Sequence, residues 1–141
     1  METQLGTKWT HVSTPLDNER WPEIEAIGEY PGLFVVRLTG RRAVGIHFSS
    51  MTYAEWTNET IYWSTAEEPT RPWGFLSEIT SSKLLPQIRA VRSEPLKHYV
   101  MHGEDIWEVV AADVRLKSFD AVSEEDLHRT LIASHPHRWS A

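Results

Sequence analysis

Histidines that share a strand face are the side chains in this sequence with the clearest capacity for chemistry. His98 and His102 are four residues apart in a predicted strand, so both point to the same face. That spacing corresponds to about 13 Å along a strand, too far for both rings to bind one metal ion unaided. His135 and His137 form a second pair near the C-terminal end. We interpret both pairs as surface or interface histidines, and we predict no metal site and no cofactor.

Carboxylates form a second set with chemical potential. Glu55 and Glu59 share strand parity and flank Trp56, while Glu104 and Asp105 of a predicted hairpin connection precede Trp107, and Glu108 follows it. Two such acids brought together could perform general acid–base catalysis. The chain contains no cysteine, no nucleophile elbow, no phosphate-binding loop, no dinucleotide-binding glycine motif and no His-Glu-x-x-His motif. The sequence therefore leaves catalysis open and favours a protein that is not an enzyme.

The charges are segregated along the chain. Segments 55–68 and 104–113 each contain four acidic residues and no basic residue, whereas segment 71–97 contains five basic residues and two acidic ones. The seven tryptophans exceed what a small core usually needs, and tryptophan is common in interfaces and pockets. We predict a binding surface made of the aromatic, acidic and histidine side chains of these segments: Tyr53, Glu55, Trp56, Glu59, Trp63, His98, His102, Glu104, Asp105, Trp107 and Glu108.

The overall composition excludes several classes of partner. Fourteen Lys and Arg against twenty Asp and Glu give a net charge of −6, which disfavours binding to nucleic acid or to an anionic membrane. No apolar run approaches the roughly 20 residues of a membrane-spanning helix. The first residues lack the basic and apolar regions of a signal peptide, so we predict a cytoplasmic protein.

The elements that must position these residues are mostly strands. Residues 33–38 and 43–48 predict a hairpin around Thr39–Arg42, and Val44, Ile46 and Phe48 alternate onto one face. Residues 96–102 and 106–112 predict a second hairpin through a three-residue connection, followed by a kink near Ala112 and a strand to Phe119. Residues 49–56 and 60–63 are also strand-like, and residues 67–74 predict a loop.

Two helices complete the predicted elements. Ser81 or Ser82 can cap a helix over 82–93, and Ser123 with Asp126 resembles a capping box for a helix ending before Pro136. The fold class is therefore α+β: a mainly antiparallel sheet of about five to seven strands with two short helices packed against it. We predict one domain over 1–141, in which residues 1–20 form a weakly patterned arm with one short strand near Trp9–Val12.

Three functions fit these features. The favoured hypothesis is a small acidic module that sequesters a basic protein, as an immunity protein or an antitoxin does. The alternative is a β-rich protein or enzyme whose aromatic pocket holds a small aromatic or apolar ligand, with His98, His102 or Glu108 transferring protons. A third hypothesis is a homodimer that pairs through the 106–112 strand or the C-terminal helix.

Overall fold

The computed structural model describes residues 8–58, 74–89 and 95–140. This part of the chain forms nine strands and two α-helices, with 3-10 turns at Glu124–Asp126 and Pro136–Arg138. The elements in chain order are β1 Trp9–Val12, β2 Ile24–Ala26, β3 Leu33–Leu38, β4 Arg42–Ser49, β5 Tyr53–Asn58, β6 Leu76–Ile79, α1 Leu84–Arg89, β7 Lys97–His102, β8 Asp105–Ala111, β9 Asp113–Phe119 and α2 Leu127–Ala133.

The strands form two antiparallel sheets. The five-stranded sheet has the order β1-β6-β7-β8-β5, and the four-stranded sheet has the order β2-β3-β4-β9. The chain passes from the first sheet to the second at Ala112, between β8 and β9. This is the position of the predicted kink, and its consequence is a change of sheet.

The main core lies between the two sheets. Strand β4 supplies Val44, Ile46 and Phe48 from one side, and strands β7 and β8 supply side chains such as Met101 and Val109 from the other. Burial of these apolar surfaces is the principal favourable term in folding. The predicted alternation along residues 43–48 is confirmed, because Ala43, Gly45 and His47 face the opposite side of the sheet.

A second core covers the outer face of the four-stranded sheet. Leu127 and Leu131 of α2 pack there against Ala43 and Phe119, and Trp139 closes the end of the cluster. The guanidinium of Arg115 donates to the Trp139 carbonyl oxygen at 3.0 Å. The segment after α2 is therefore anchored to β9 by hydrogen bonds and by apolar packing.

The observed secondary structure agrees with the predicted fold class and differs from the prediction in the number of strands and in one turn. The α+β class with antiparallel pairing is confirmed, and the short strands β2 and β6 raise the number of strands in the described residues to nine. The second hairpin turns through two residues, Gly103 and Glu104, because β8 begins at Asp105. The predicted strand 60–63 and most of the predicted loop 67–74 lie outside the described residues.

The helix starts differ in how closely they follow the predictions. The Ser82 hydroxyl oxygen accepts hydrogen bonds from the amides of Leu84 and Leu85, as expected of a cap. The predicted capping box is wrong: the Ser123 hydroxyl donates to the Asp126 carboxylate, and no side chain caps the backbone there. The Asp126 amide instead bonds the Ser123 carbonyl oxygen, which closes a 3-10 turn before α2 begins.

None of the helices in the described ranges is both long and apolar enough to span a membrane.

Gly45 is required by the packing of Trp139. A Cβ atom at this position would lie 2.4 Å from Cη2 of Trp139 and 2.8 Å from Cδ2 of Leu131. Both neighbours are fully enclosed by the second core, so neither can move without disturbing it.

We therefore expect Gly45→Ala to lower the free energy of unfolding by about 1–3 kcal/mol through overpacking. Urea denaturation measures this change. Gly28→Ala is the matched control, because a Cβ there meets nothing within 4 Å. Equal stability of the two variants would contradict the packing described for Gly45.

His47 is buried beside the same C-terminal segment. Its ring lies 5.6 Å from that of Tyr30 and 6.5 Å from that of Trp139, measured between centroids. Burial lowers the pKa of His47, and the positive charges of His137 and Arg115 lower it further. Folding therefore disfavours the charged form of this ring.

Stability should consequently fall as the pH drops. A histidine of the unfolded chain has a pKa of about 6.5, so below that pH the unfolded state binds a proton that the folded state resists. We expect the loss of unfolding free energy between pH 7.5 and 5.5 to be smaller in His47→Gln than in the wild type, by up to about 1.4 kcal/mol. An unchanged profile in His47→Gln would contradict the assignment.

Candidate functional site

The outer face of the five-stranded sheet collects much of the predicted binding set. In the strand register, Tyr53 and His98 both lie opposite Val110, and Glu55 lies directly opposite Glu108. His102 follows His98 on the same face of β7. The structure thus brings Tyr53, Glu55, His98, His102 and Glu108 together on one side of three neighbouring strands.

His98 is the centre of this group. Its Nδ1 atom lies 2.7 Å from the hydroxyl oxygen of Ser82, and its Nε2 atom lies 3.5 Å from Oε2 of Glu108. His98 is 0% exposed and Glu108 is 4% exposed, so this imidazole and this carboxylate are enclosed in the protein. We call Ser82, His98 and Glu108 the buried polar relay.

The hydrogen bonds around Ser82 indicate which group donates in the contact between Ser82 and His98. The Ser82 oxygen already accepts the amides of Leu84 and Leu85, so its own proton is available for Nδ1 of His98. A neutral ring that accepts at Nδ1 carries its proton on Nε2, which faces the Glu108 carboxylate. Nε2 makes no hydrogen bond among the described residues, so the hydrogen bond of His98 is the one to Ser82, which ties the start of α1 to the sheet beside Glu108.

Sequence reasoning found part of this relay. It identified Ser82 as a helix cap and identified His98 and Glu108 as site residues, but it placed the latter two on a docking surface. Their burial removes both from any exposed surface. The serine was not recognised as a partner of His98, because the contact joins residues 16 positions apart and depends on how α1 packs against the sheet.

Tyr53 and Glu55 form a second hydrogen-bonded pair on this face. The Tyr53 hydroxyl donates to Oε2 of Glu55. Burial raises the pKa of Tyr53, and the hydrogen bond and charge of Glu55 and the charge of Glu108 raise it further. The phenol therefore stays protonated and acts as a donor near neutral pH. His102 lies farther along, with its ring 5.6 Å from that of Trp9.

A different group of predicted residues lies on the opposite face of the same strands. Trp56 lies opposite Trp107 in the register, and Trp107 packs against Phe34 with a ring separation of 5.0 Å. Trp107 is half-buried, whereas Trp56 is 53% exposed. Asp105, opposite Asn58, lies on the same face of β8 as Trp107, and Glu104 precedes it in the adjoining turn.

Trp21 joins this second group through the β7–β8 turn. The Glu104 amide donates to the Pro22 carbonyl oxygen at 2.8 Å, and a Cβ on Gly103 would lie 2.2 Å from that oxygen. Glycine is thus needed for the turn to approach Pro22 closely. Trp21, the residue before Pro22, is 51% exposed. Sequence reasoning missed Trp21, because the hydrogen bond that brings its neighbour Pro22 to the turn joins residues 82 positions apart, Pro22 and Glu104.

We call Trp21, Trp56, Glu104, Asp105 and Trp107 the acidic–aromatic surface. Trp21 and Trp56 are the exposed large hydrophobic side chains of the described residues. The remaining predicted members, Glu59 and Trp63, lie outside the described residues. Within residues 8–58, 74–89 and 95–140, no three His, Asp or Glu side chains converge on a position that could hold a metal ion.

Two measurements, NMR of the histidine rings and denaturation of a serine variant, test the contacts of the buried polar relay. Nitrogen-15 NMR of the histidine rings should show that Nδ1 of His98 accepts a hydrogen bond and carries no proton. Ser82→Ala should remove both the cap and the hydroxyl donor, lower the free energy of unfolding by about 1–3 kcal/mol, and shift the Nδ1 resonance of His98.

The exposed Ser118→Ala variant is the control and should change neither quantity. An Nδ1-protonated ring in the wild type, or an unchanged Nδ1 resonance in Ser82→Ala, would contradict the assignment of Ser82 as the hydrogen-bond donor to His98.

Comparison of the chain with models of protein families, with curated proteins and with solved structures gave no match.

Proposed function

We propose that this protein binds a basic protein through the acidic–aromatic surface and so sequesters it, in the manner of an immunity protein or an antitoxin. The observation that carries the proposal is the exposure of Trp21 and Trp56 on segments that adjoin the turn and strand carrying Glu104 and Asp105. Isolated exposed apolar residues are ordinary, but two half-exposed indoles on segments that adjoin two acidic residues are suited to an interface.

The two kinds of side chain contribute differently to such an interface. Indole rings supply large apolar contact area and are frequent among residues that dominate binding energy. Trp107 lies opposite Trp56 in the strand register, and its own ring is held against Phe34 of the opposite sheet. The half-buried Trp107 ring therefore loses little conformational freedom when a partner covers this surface.

The carboxylates favour a basic partner. Complementary charge accelerates association and selects against acidic proteins, while contributing less to affinity than the central aromatic contacts. Glu104 is exposed at the tip of the turn, where its charge can act on an approaching partner. The net charge of −6 has the same sign, so the long-range field of the chain supports the local one.

Substitution should separate these contributions. With wild-type protein as bait in an extract of its source, we expect capture of a basic protein that Trp56→Ala weakens at least 30-fold in affinity. Glu104→Lys should mainly slow association and reduce its dependence on salt. Surface plasmon resonance with the purified partner measures both effects.

Asp120→Lys, the same charge change at another exposed position, is the matched control and should leave binding unchanged. Capture of an acidic partner, or of one insensitive to Trp56→Ala, would contradict the proposal. Light scattering tests the homodimer hypothesis. If the wild type is a dimer and Trp56→Ala is a monomer, this surface serves self-association and not the binding of a different protein.

The buried polar relay supports a second candidate, the binding of a small aromatic or apolar molecule near His98 and Glu108. Titratable groups enclosed in a protein are costly to bury and are concentrated at functional sites. Under this hypothesis, planar aromatic ligands should raise the melting temperature of the wild type and not that of His98→Gln. An equal response in both would exclude a ligand site that depends on His98.

A further inference from the structure

A cleft of about 620 Å³ lies between the β3–β4 hairpin and the turn that precedes α2. Three arginines, Arg37, Arg41 and Arg42, line it together with apolar side chains that include Val122 and Leu127. We call it the arginine cleft. Its volume falls within the roughly 300–1,000 Å³ typical of small-molecule sites. It shares no residue with the acidic–aromatic surface or with the buried polar relay.

The arginines of the cleft differ in how far they are already engaged. Arg37 forms an ion pair with Glu25. Arg42 donates through Nε to the Thr39 carbonyl oxygen at 3.1 Å, which leaves its two terminal nitrogens. Among the residues that the structure describes, none forms a hydrogen bond or an ion pair with the side chain of Arg41. Two guanidinium groups therefore retain donors for a ligand.

The backbone holds the two walls of the cleft together. The Val122 amide donates to the Arg41 carbonyl oxygen at 3.0 Å, so the hairpin tip and the loop before α2 are joined directly. Glu25 strengthens one wall, because its carboxylate accepts from Arg37 and lies 2.6 Å from Nε2 of His128 on α2. The cleft is thus formed before any ligand arrives, which reduces the entropic cost of binding.

From this geometry we propose that the arginine cleft binds a small organic molecule that carries a phosphate or carboxylate group on an apolar body. A planar guanidinium pairs with either group through two parallel hydrogen bonds. The apolar floor of Leu38, Val122 and Leu127 requires more than an inorganic ion to fill it. Glu124 and Glu125 on the facing wall oppose extended polyanions and so restrict the ligand to a single anionic group.

Titration with matched small probes tests this site. Phenyl phosphate and benzoate should bind saturably in proton–nitrogen NMR spectra, with amide shifts confined to residues 37–43 and 122–127. Phenol, which has the ring without the charge, should bind at least tenfold more weakly. A tighter constant for phenyl phosphate identifies the group as a phosphate, and a tighter constant for benzoate identifies it as a carboxylate.

Variants then connect the binding to individual arginines. Arg42→Gln and Arg41→Asn should each weaken binding at least fivefold; asparagine is chosen because Arg41 has a φ of 59°, which asparagine tolerates. Arg20→Gln, which removes an exposed arginine elsewhere, should leave the constant unchanged. Melting curves of all variants verify that they fold.

Three results would overturn the proposal. The first is a set of shifts spread over the surface without saturation. The second is inorganic phosphate binding as tightly as phenyl phosphate, which would show that the apolar floor contributes nothing. The third is an equal loss of affinity in Arg20→Gln and Arg42→Gln, which would show that general surface charge accounts for the binding.

Discussion

The contact between the two sheets is the interaction on which every other feature of this fold depends. A continuous series of aromatic rings crosses it: Phe34 lies 5.7 Å from Phe48 and 5.0 Å from Trp107, and Phe48 lies 5.5 Å from Tyr99. These rings come from both sheets, and their burial is favourable in proportion to their large apolar area. Once one face of each strand is committed to this core, strict alternation sends every second residue to the opposite face.

That alternation explains why the predicted binding residues separate into two groups. On β8, Trp107 points toward the aromatic contact, so its neighbour Glu108 must point away from it. The outer face of the five-stranded sheet is itself enclosed around His98, and the polar groups there require partners inside the protein. Ser82 provides one of these partners while also capping α1. Trp56, at the end strand of the sheet, extends past the edge of the core and remains exposed.

The fold also determines which charged residues lie close together. The turn that carries Glu104 meets the Trp21-Pro22 segment, because Gly103 allows it to approach the Pro22 carbonyl oxygen. The arginines of the β3–β4 hairpin meet the acidic turn before α2 because Val122 bonds Arg41. The result is one acidic surface rich in indole and one cleft rich in guanidinium, on a chain whose overall charge indicates only the first.

The local sequence pattern was sufficient to predict several of the secondary-structure elements. Alternating apolar residues predicted the hairpin through Thr39–Arg42, and a cap at Ser81 or Ser82 was predicted for the helix that includes α1. Each of these depends on neighbours a few residues apart, which a sequence displays directly. The short strands β2 and β6 carry too few residues for a periodic signal, and only their partners in the sheets make them strands.

The sequence predicted which kinds of residue form the candidate sites, but it did not predict how those residues are arranged in space. The sequence by itself determined an acidic chain with surplus indoles and with His98, Glu108 and Trp107 on neighbouring strands. Only the tertiary structure decided that His98 and Glu108 are buried, that Ser82 bonds His98, that Pro22 meets the turn at Glu104, and that three arginines share a cleft. The reason is physical: burial and contact depend on how sheets and helices pack across long separations in the chain, and residue periodicity carries no information about that packing.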